Sequence, residues 1–112
     1  MRTIYAVASK IYRCVRPIRN RKYLAFIRSF PCVGCGTERR YREAMHIGPH
    51  GMSQKASDLD TLPGCAACHK ELHRLGSVRF QAARNLDFVQ LIGMFQKMYI
   101  IRYGRLPEEE AA

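Results

Sequence analysis

The sequence predicts a single α+β domain in which a short hairpin and a helix are tied together by metal-binding cysteines and flanked by further helices. Two Cys-x-x-Cys pairs lie 29 residues apart, and a strand-like stretch lies between them. A chain of 112 residues forms one domain with a modest core, which a bound metal would help to stabilise. We divide the chain into a basic N-terminal segment and helix (1–30), a metal-bound core (31–76), C-terminal helices (77–105) and an acidic tail (106–112), which we expect to be frayed.

The N-terminal segment is strongly basic. Residues 1–30 carry eight Lys or Arg and no acid, and the whole chain has a formal net charge of +10. Apolar residues at helical spacing predict a first helix to about Val15, and Asn20 can cap a second helix that runs to about Phe30, before Pro31. The charge indicates a polyanionic partner, because neutralising phosphates releases counterions. A merely soluble basic surface is the alternative.

A hairpin follows the first cysteine pair. Cys32 and Cys35 lie in a glycine-containing turn that can aim both sulfurs at one ion. The stretch that ends at Ile47 predicts the first strand, and residues 61–62 predict the returning strand. Gly and Pro at the start of the stretch 48–60 indicate that it is the loop between the strands.

Three helices are predicted after the hairpin. The first runs from residue 65 or 66 to residue 75 and ends at Gly76. Residues 78–84 predict a short helix. Asp87, with Gln three residues later, resembles a capping box that opens a longer helix ending near Gly104. The apolar stripe of that last helix predicts a core element rather than a membrane or cofactor surface.

The two cysteine pairs have the spacing of a zinc site, formed by Cys32, Cys35, Cys65 and Cys68. Four thiolates satisfy tetrahedral Zn²⁺ and leave no open position, so this ion would be structural. Disulfides or free thiols are the alternatives, and disulfides suit a secreted chain. The N-terminus lacks the apolar region of a signal peptide, and no apolar run approaches a membrane span, so we expect a cytoplasmic protein. Cys14 has no partner at metal spacing and predicts a packing residue.

Histidines of the hairpin and the following helix are candidates for a second, catalytic site. His69 and His73 are four residues apart on the predicted helix, so they project from one face and can hold a second divalent ion. The alternative is two ordinary surface histidines. His46 ends the first strand and is a candidate general base for water attacking a phosphodiester, with a metal stabilising the phosphate charge.

These residues resemble the HNH endonucleases, the ββα-metal or His-Me finger nucleases. The motifs that carry the resemblance are Cys-x-x-Cys-Gly, Ala-Met-His-Ile and Cys-x-x-Cys-His-x-x-x-His. The loop at 51–58 and the leader at 23–32 are similar to a phage and prophage group of HNH-like proteins that includes recombination-enhancing nucleases. The resemblance covers about residues 16–76. It implies a ββα fold and metal-dependent cleavage of DNA that leaves 5′-phosphate ends.

The resemblance also implies roles for individual residues. His46 matches the general base, His69 the helix metal ligand, and His73 a second ligand or a phosphate contact. Asp60 falls where the family places a middle Asn that orients the base, and Asp58 is the alternative for that role or for metal binding. Each acid can instead be an ordinary cap or turn carboxylate.

One position departs from the family's pattern. Many HNH proteins place Asp or His directly before the base, where it ligates the metal, but here the residue is Met45, a poor ligand for a hard cation. The ion, Mg²⁺, Mn²⁺ or a second Zn²⁺, would then rely on the two helix histidines and on another group. Candidates for that group are His50 and Asp58.

The expected partner is DNA, with phage or host recombination proteins as further candidates. Basic side chains of the helices and the loop are the expected phosphate contacts: Arg21, Lys22, Arg28, Lys55, Lys70 and Arg74. A solvated basic face is the alternative for them. The alternative function is a catalytically impaired zinc module that binds DNA or a recombination protein, or a structural zinc-ribbon-like protein.

Overall fold

The structure, a computed structural model, describes residues 17–47 and 56–110. This part of the chain forms one two-stranded sheet and four helices, which confirms the predicted α+β class. In chain order the elements are α1 (Arg21–Arg28), β1 (Arg42–His46), β2 (Thr61–Cys65), α2 (Ala66–Leu75), α3 (Ser77–Arg84) and α4 (Phe88–Tyr103). None of these helices is long and apolar enough to cross a bilayer.

Some predictions concern parts of the chain outside the described residues. These are the first helix to about Val15, Cys14, most of the loop at 48–60, and the loop residues His50 and Lys55.

The sheet is a short antiparallel hairpin. Arg42 of β1 lies opposite Cys65 of β2, and His46 lies opposite Thr61. Side chains alternate between the two faces of a strand, so Met45 projects away from the side chain of His46. Met45 is fully buried. The hairpin therefore carries one histidine at its loop end and one core methionine beside it.

Strand β2 extends three residues beyond the predicted strand at 61–62, through Pro63 to Cys65. Proline lacks an N–H, but each strand of a two-stranded sheet has one side without ladder bonds, where proline is tolerated. The carbonyl of Pro63 accepts a hydrogen bond from the Val33 N–H at 3.0 Å. That bond fastens the turn of the first cysteine pair to the sheet.

Gly64 allows β2 to lie close to the side chain of Met45. A Cβ atom at this position would collide with the Met45 sulfur and would lie 2.6 Å from its Cε atom. A buried side chain fills the space that any larger residue at position 64 would need. Residues 63–64, which lie between the predicted strand and the predicted helix, therefore belong to a packed strand.

Two predicted helix starts are confirmed. The Asn20 side chain accepts a hydrogen bond from the Tyr23 N–H at 2.9 Å and caps α1. The Asp87 side chain accepts from the Gln90 N–H at 3.2 Å and caps α4, which ends at Gly104 with a positive φ of 91°. Each cap satisfies an N–H that has no partner within the helix.

Aromatic side chains join α1 to α4 in the core. Tyr23 lies edge-on to Tyr99 with ring centroids 5.1 Å apart, and Phe26 meets the same ring at 5.2 Å. Phe30 and Phe95 make a third edge-on pair at 5.1 Å. Such pairs stabilise a fold beyond their buried area. The two helices therefore form one face of the core, against which the hairpin packs.

The acidic C-terminal residues do not form the frayed tail that was expected. Pro107 is buried, the Glu109 carboxylate accepts from the Arg19 N–H at 2.9 Å, and the Glu110 N–H donates to the Arg19 carbonyl at 2.9 Å. The Glu110 carboxylate also accepts from the Arg21 N–H at 2.9 Å, at the start of α1, where the N–H groups lack partners within the helix and carry a partial positive charge. The expectation of a loose tail is therefore wrong for residues 106–110.

Candidate functional site

Four cysteines converge at the junction of the first turn, β2 and α2: Cys32, Cys35, Cys65 and Cys68. Their sulfur atoms all lie within 4.8 Å of one another, and all four thiols are free. The Cys35 and Cys65 sulfurs are 3.8 Å apart. A tetrahedral ion with metal–sulfur bonds of ~2.3 Å has sulfur–sulfur edges of about 3.8 Å. The group is thus placed to hold a metal ion, consistent with a structural zinc, and disulfides are absent from it.

We call these four residues the cysteine cage. A glycine in the first turn allows the cage to form. A Cβ atom on Gly34 would lie 2.8 Å from the Cys68 sulfur, so the turn can approach the helix only without a side chain here. The Gly34 N–H also donates to the Cys32 sulfur at 3.3 Å. On the other side, the Cys65 sulfur accepts from the Cys68 N–H at 3.5 Å and caps α2.

The thiols of the cage differ in acidity. Burial opposes ionisation of the Cys32 thiol. Backbone N–H groups of Cys65, Cys35 and Gly34 outweigh the burial and lower the pKa of this thiol to about 7. Burial raises the pKa of the Cys68 thiol, and its hydrogen bonds within the cage raise it further. A bound divalent cation would favour the ionised form of all four thiols, because metal binding deprotonates its thiol ligands.

Helix α2 presents the two histidines on one face, as their spacing predicts. The His69 and His73 rings stack with centroids 4.8 Å apart and an interplanar angle of 30°. The His69 Nδ1 atom lies 2.5 Å from the Glu43 carboxylate of β1. When Nδ1 donates to this carboxylate, the lone pair of a neutral ring is on Nε2. This carboxylate–histidine arrangement is common among metal-ligating histidines.

Glu43 was missed from the sequence. It is the one acid of β1 and lies three residues before His46. Its place on the predicted strand was the only feature of the sequence that could have marked it as a site residue. Its pairing with His69 depends on how α2 packs against β1, which no local pattern specifies. Its carboxylate fixes the ring of the histidine that was the first candidate helix ligand.

His46 is paired with the buried Asp58. Its Nε2 atom lies 2.8 Å from one carboxylate oxygen, and the other oxygen accepts from the Asn20 N–H at 2.8 Å. Burial opposes ionisation of this carboxyl, but hydrogen bonds from His46 and Asn20 and the nearby Arg19 guanidinium outweigh it and hold the pKa of Asp58 below its usual value. The ionised carboxylate accepts the hydrogen bond from Nε2–H, so the lone pair of the neutral ring is on Nδ1.

The carboxylate next to His46 is therefore that of Asp58, the alternative named from the sequence, and not that of Asp60. Asp60 is buried, and its backbone carbonyl accepts from the Ile47 N–H at 2.8 Å. The two acids lie two residues apart in the turn before β2, and sequence alone did not distinguish them.

The expected catalytic ligand set is not assembled within the described residues. Across 17–47 and 56–110, the cysteine cage is the only group of three or more His, Cys, Asp or Glu placed to hold a metal ion. Asp58 is engaged with His46 and does not join His69 and His73 in such a group. Met45 is in the core for the reason given above, and His50 lies outside the described residues.

The predicted phosphate contacts differ in their surroundings. Arg21 and Lys22 are exposed on α1, where Arg21 pairs with Glu110 at 3.3 Å and Lys22 lies 4.0 Å from the centre of the Tyr103 ring. On α2, Lys70 is exposed, whereas Arg74 binds Glu71 of the same helix. The other two positions are Arg28, which is partly buried, and Lys55, which is outside the described residues.

The sequence profile of one family matches residues 13–89, more than half of the chain. The matched range contains the cysteine cage, the His46–Asp58 pair and the two histidines of α2. No curated protein and no solved structure matches the chain. The chain belongs to the family described as "Protein of unknown function (DUF968)".

Proposed function

We propose that this protein is a metal-dependent endonuclease that hydrolyses phosphodiester bonds in DNA, with His46 as the general base. The single observation that carries the proposal is the hydrogen bond from the His46 ring to the buried Asp58 carboxylate, 2.8 Å long. A histidine whose one nitrogen is fixed by an ionised carboxylate offers its other nitrogen in a defined direction.

The chemistry at His46 follows from that bond. The Asp58 carboxylate accepts the hydrogen bond from Nε2–H, so the Nδ1 lone pair takes a proton from the attacking water. As the water's oxygen bonds to phosphorus, the bond from phosphorus to the leaving oxygen breaks, and the leaving oxygen takes up a proton from solvent. The carboxylate then stabilises the imidazolium that forms. The buried N–H and guanidinium contacts of Asp58 keep it ionised during this step.

A divalent metal would be held by His69 through Nε2 and by His73, with Glu43 fixing the first ring from behind. Such an ion, Mg²⁺, Mn²⁺ or a second Zn²⁺, supplies stabilisation of negative charge on the phosphate and on the leaving oxygen. The two rings lie side by side on one face of α2, and Met45 contributes no donor because it is buried in the core. His50 stays a candidate for a further ligand.

Zinc in the cysteine cage has a structural role in this proposal. Four sulfur ligands leave no open position for water, so the ion would contribute folding free energy rather than chemistry. The cage joins the 32–35 turn to the end of β2, and His69 follows Cys68 directly along α2. Metal binding would therefore hold the helix histidines in place against β1.

DNA is the substrate favoured by charge. The chain carries a net charge of +10, and exposed basic side chains lie on both α1 and α2. Phosphate contacts make binding strongly dependent on salt, so affinity is expected to fall steeply as salt rises. Phage or host recombination proteins remain candidate partners that bring such a nuclease to its substrate.

A second candidate is a zinc module that binds DNA without cutting it. The observation that favours it is the burial of Met45 together with the absence, among the described residues, of a third donor beside His69 and His73. Two imidazoles alone bind a divalent ion weakly compared with a complete set of ligands. This candidate predicts DNA binding that is unaffected by divalent metal.

The test is cleavage of supercoiled plasmid by zinc-loaded protein with Mg²⁺ or Mn²⁺, beside the His46→Ala variant. We expect nicked or linear DNA from the wild type, and a loss of about 100-fold or more in rate from the variant with DNA affinity unchanged. Equal cleavage by both proteins would identify a contaminating nuclease or another base. Binding without cleavage in every divalent metal tried would support the second candidate.

A further inference from the structure

A short extended segment, residues 18–20, holds the loop that carries Asp58. The Asp58 N–H donates to the Ile18 carbonyl at 2.9 Å, and the Asn20 N–H donates to the Asp58 carboxylate at 2.8 Å. The Ile18 N–H donates to the Ser57 hydroxyl at 3.2 Å. Both the backbone and the side chain of Asp58 are therefore placed by this segment.

The opposite side of the same segment is held by the acidic C-terminal residues. The Arg19 N–H donates to the Glu109 carboxylate at 2.9 Å, and the Glu110 N–H donates back to the Arg19 carbonyl at 2.9 Å. The Glu110 carboxylate accepts from the Arg21 N–H at 2.9 Å. The segment thus lies between the Asp58 loop on one side and residues 109–110 on the other.

Arg19 connects the two sides. Its backbone binds the C-terminal glutamates, while its guanidinium donates to the Ala56 carbonyl at 2.8 Å and lies 3.6 Å from the Asp58 carboxylate. A shift of the Arg19 backbone would therefore move the groups that orient Asp58, and through Asp58 the ring of His46.

The strength of this connection comes from backbone contacts rather than from surface charge. The exposed Arg21–Glu110 ion pair alone contributes little, because solvent screens it. Hydrogen bonds from backbone N–H groups to a carboxylate at a helix start are charge-assisted and fixed in geometry. Two such bonds, to Glu109 and Glu110, restrain the backbone that carries Asn20.

We infer that Glu109 and Glu110 are positioning residues for the His46–Asp58 pair and act on it through residues 18–20. The inference rests on the proposed nuclease function for its effect on catalysis, but its structural content stands on the contacts alone. Residues near the end of the chain then set the direction of the His46 Nδ1 lone pair.

The experiment compares three single variants of the zinc-loaded, full-length protein: Glu109→Ala, Glu110→Ala and Glu108→Ala. The last is the matched control, since it removes the same charge from the neighbouring position, and the Glu108 carboxylate pairs with Arg105 on the surface at 3.3 Å. The readout is the ring ¹⁵N spectrum of His46, which reports which nitrogen carries the hydrogen. Plasmid cleavage under saturating DNA is measured beside it.

We expect the wild type and the Glu108→Ala protein to show one His46 tautomer with hydrogen on Nε2. In the Glu109→Ala and Glu110→Ala proteins we expect a mixture of tautomers and turnover lowered about tenfold, with the KM for DNA little changed. The Glu109→Gln protein keeps an acceptor oxygen and should recover part of the wild-type signal. If an alanine variant does not fold, the corresponding Gln variant is judged by the same signal.

An unchanged His46 tautomer in both the 109 and 110 variants would overturn the inference, as would an equal change in the Glu108→Ala protein. The tautomer of His46 is measured without any DNA, so the positioning role and the nuclease function are tested independently. A wild type that does not cleave DNA contradicts the proposed function even if the tautomer responds to Glu109 and Glu110. If the protein cleaves DNA but its His46 tautomer does not change in the Glu109 and Glu110 variants, only the positioning role is contradicted.

Discussion

A buried methionine precedes His46 on β1, and its burial excludes it as a metal ligand. The Met45 side chain is fully buried and contacts the backbone of Gly64. His46 projects to the other face, toward Asp58. Position 45 is therefore excluded as a metal ligand, and in the proposed function the ion would be held by His69 and His73 of α2.

An acid at position 45 should damage the fold rather than improve metal binding. Met45→Asp places an unpaired carboxylate in the core, and we expect it to lower the free energy of unfolding by about 3–5 kcal/mol. Met45→Leu, which keeps the volume, should lower it by less than about 1.5 kcal/mol. Urea unfolding followed by circular dichroism checks both. A stable Met45→Asp protein with tighter Mn²⁺ binding would contradict this assignment of Met45 to the core.

The Asp58 carboxylate should stabilise the protein in a pH-dependent way. Its pKa lies below the ordinary value of 3.8, because hydrogen bonds from His46 and Asn20 outweigh its burial. A depressed folded-state pKa gives stability that is complete above the unfolded pKa and is lost as the pH falls through the folded value. We expect Asp58→Asn to be less stable than wild type by about 1.5–3 kcal/mol at pH 7.

The measurement for Asp58 is the difference in unfolding free energy between wild type and Asp58→Asn from pH 7 down to pH 3. Loss of metal at low pH affects both proteins, so the difference isolates the carboxylate. The gap should be constant above about pH 5 and should close below about pH 4. A gap that stays constant to pH 3 would mean that the charge of Asp58 does not matter.

At the scale of elements, local signals in the sequence were sufficient for the helices. The caps at Asn20 and Asp87 and the helix ends at Gly76 and Gly104 follow from side-chain and backbone chemistry within one turn. The extent of β2 did not follow, because the predicted strand ended at residue 62 and contacts to β1 and Val33 extend it to Cys65. The length of β2 is therefore set by contacts between elements and not by local sequence.

The turn of the first cysteine pair depends on Gly34 for its close approach to α2. Gly34→Ala puts a Cβ atom 2.8 Å from the Cys68 sulfur, so one of the two must move. We expect a loss of about tenfold or more in zinc affinity, measured by competition with a chromophoric chelator. Gly36→Ala is the control, because its Cβ meets nothing within 4 Å and only its φ of 77° is strained. Equal zinc affinities for the two variants would show that the approach at Gly34 is not required.

At the scale of the whole molecule, the C-terminal residues bind the segment that leads into α1. Arg19 and Glu109 are 90 residues apart in the sequence, yet they are hydrogen-bonded. A run of acids predicted a solvated tail from composition alone, and the structure corrected it. The pairing of Glu43 with His69 and of Asp58 with His46 depends on tertiary packing, so it could not be predicted from local sequence. The four cysteines and the two helix histidines were identified by their spacing alone.

Removing zinc should unfold much of the protein, because the cysteine cage joins the first turn, β2 and α2 in a domain with a modest core. We expect a chelator to lower the melting temperature sharply, and Cys68→Ser to do the same. A melt that is unchanged without metal would contradict the structural role.

Zinc affinity should also rise with pH. The pKa of Cys32 is about 7 and that of Cys68 is raised, so binding must release protons from thiols. The apparent affinity should therefore increase from about pH 6 to about pH 8 by more than tenfold. Calorimetry in buffers of different ionisation enthalpy measures the protons released. Binding without proton release would argue against thiolate ligation.

The central claim is that one chain holds a structural ion among sulfurs and a catalytic ion beside imidazoles. Anomalous diffraction from crystals grown with Zn²⁺ and Mn²⁺, with data collected at the absorption edge of each metal, locates both ions directly. We predict a zinc peak at the centre of the cysteine cage and a second, manganese peak within ~2.2 Å of the His69 Nε2 atom and next to His73. A cage without metal, or crystals of cleaving protein whose second ion binds away from both histidines, would contradict the account.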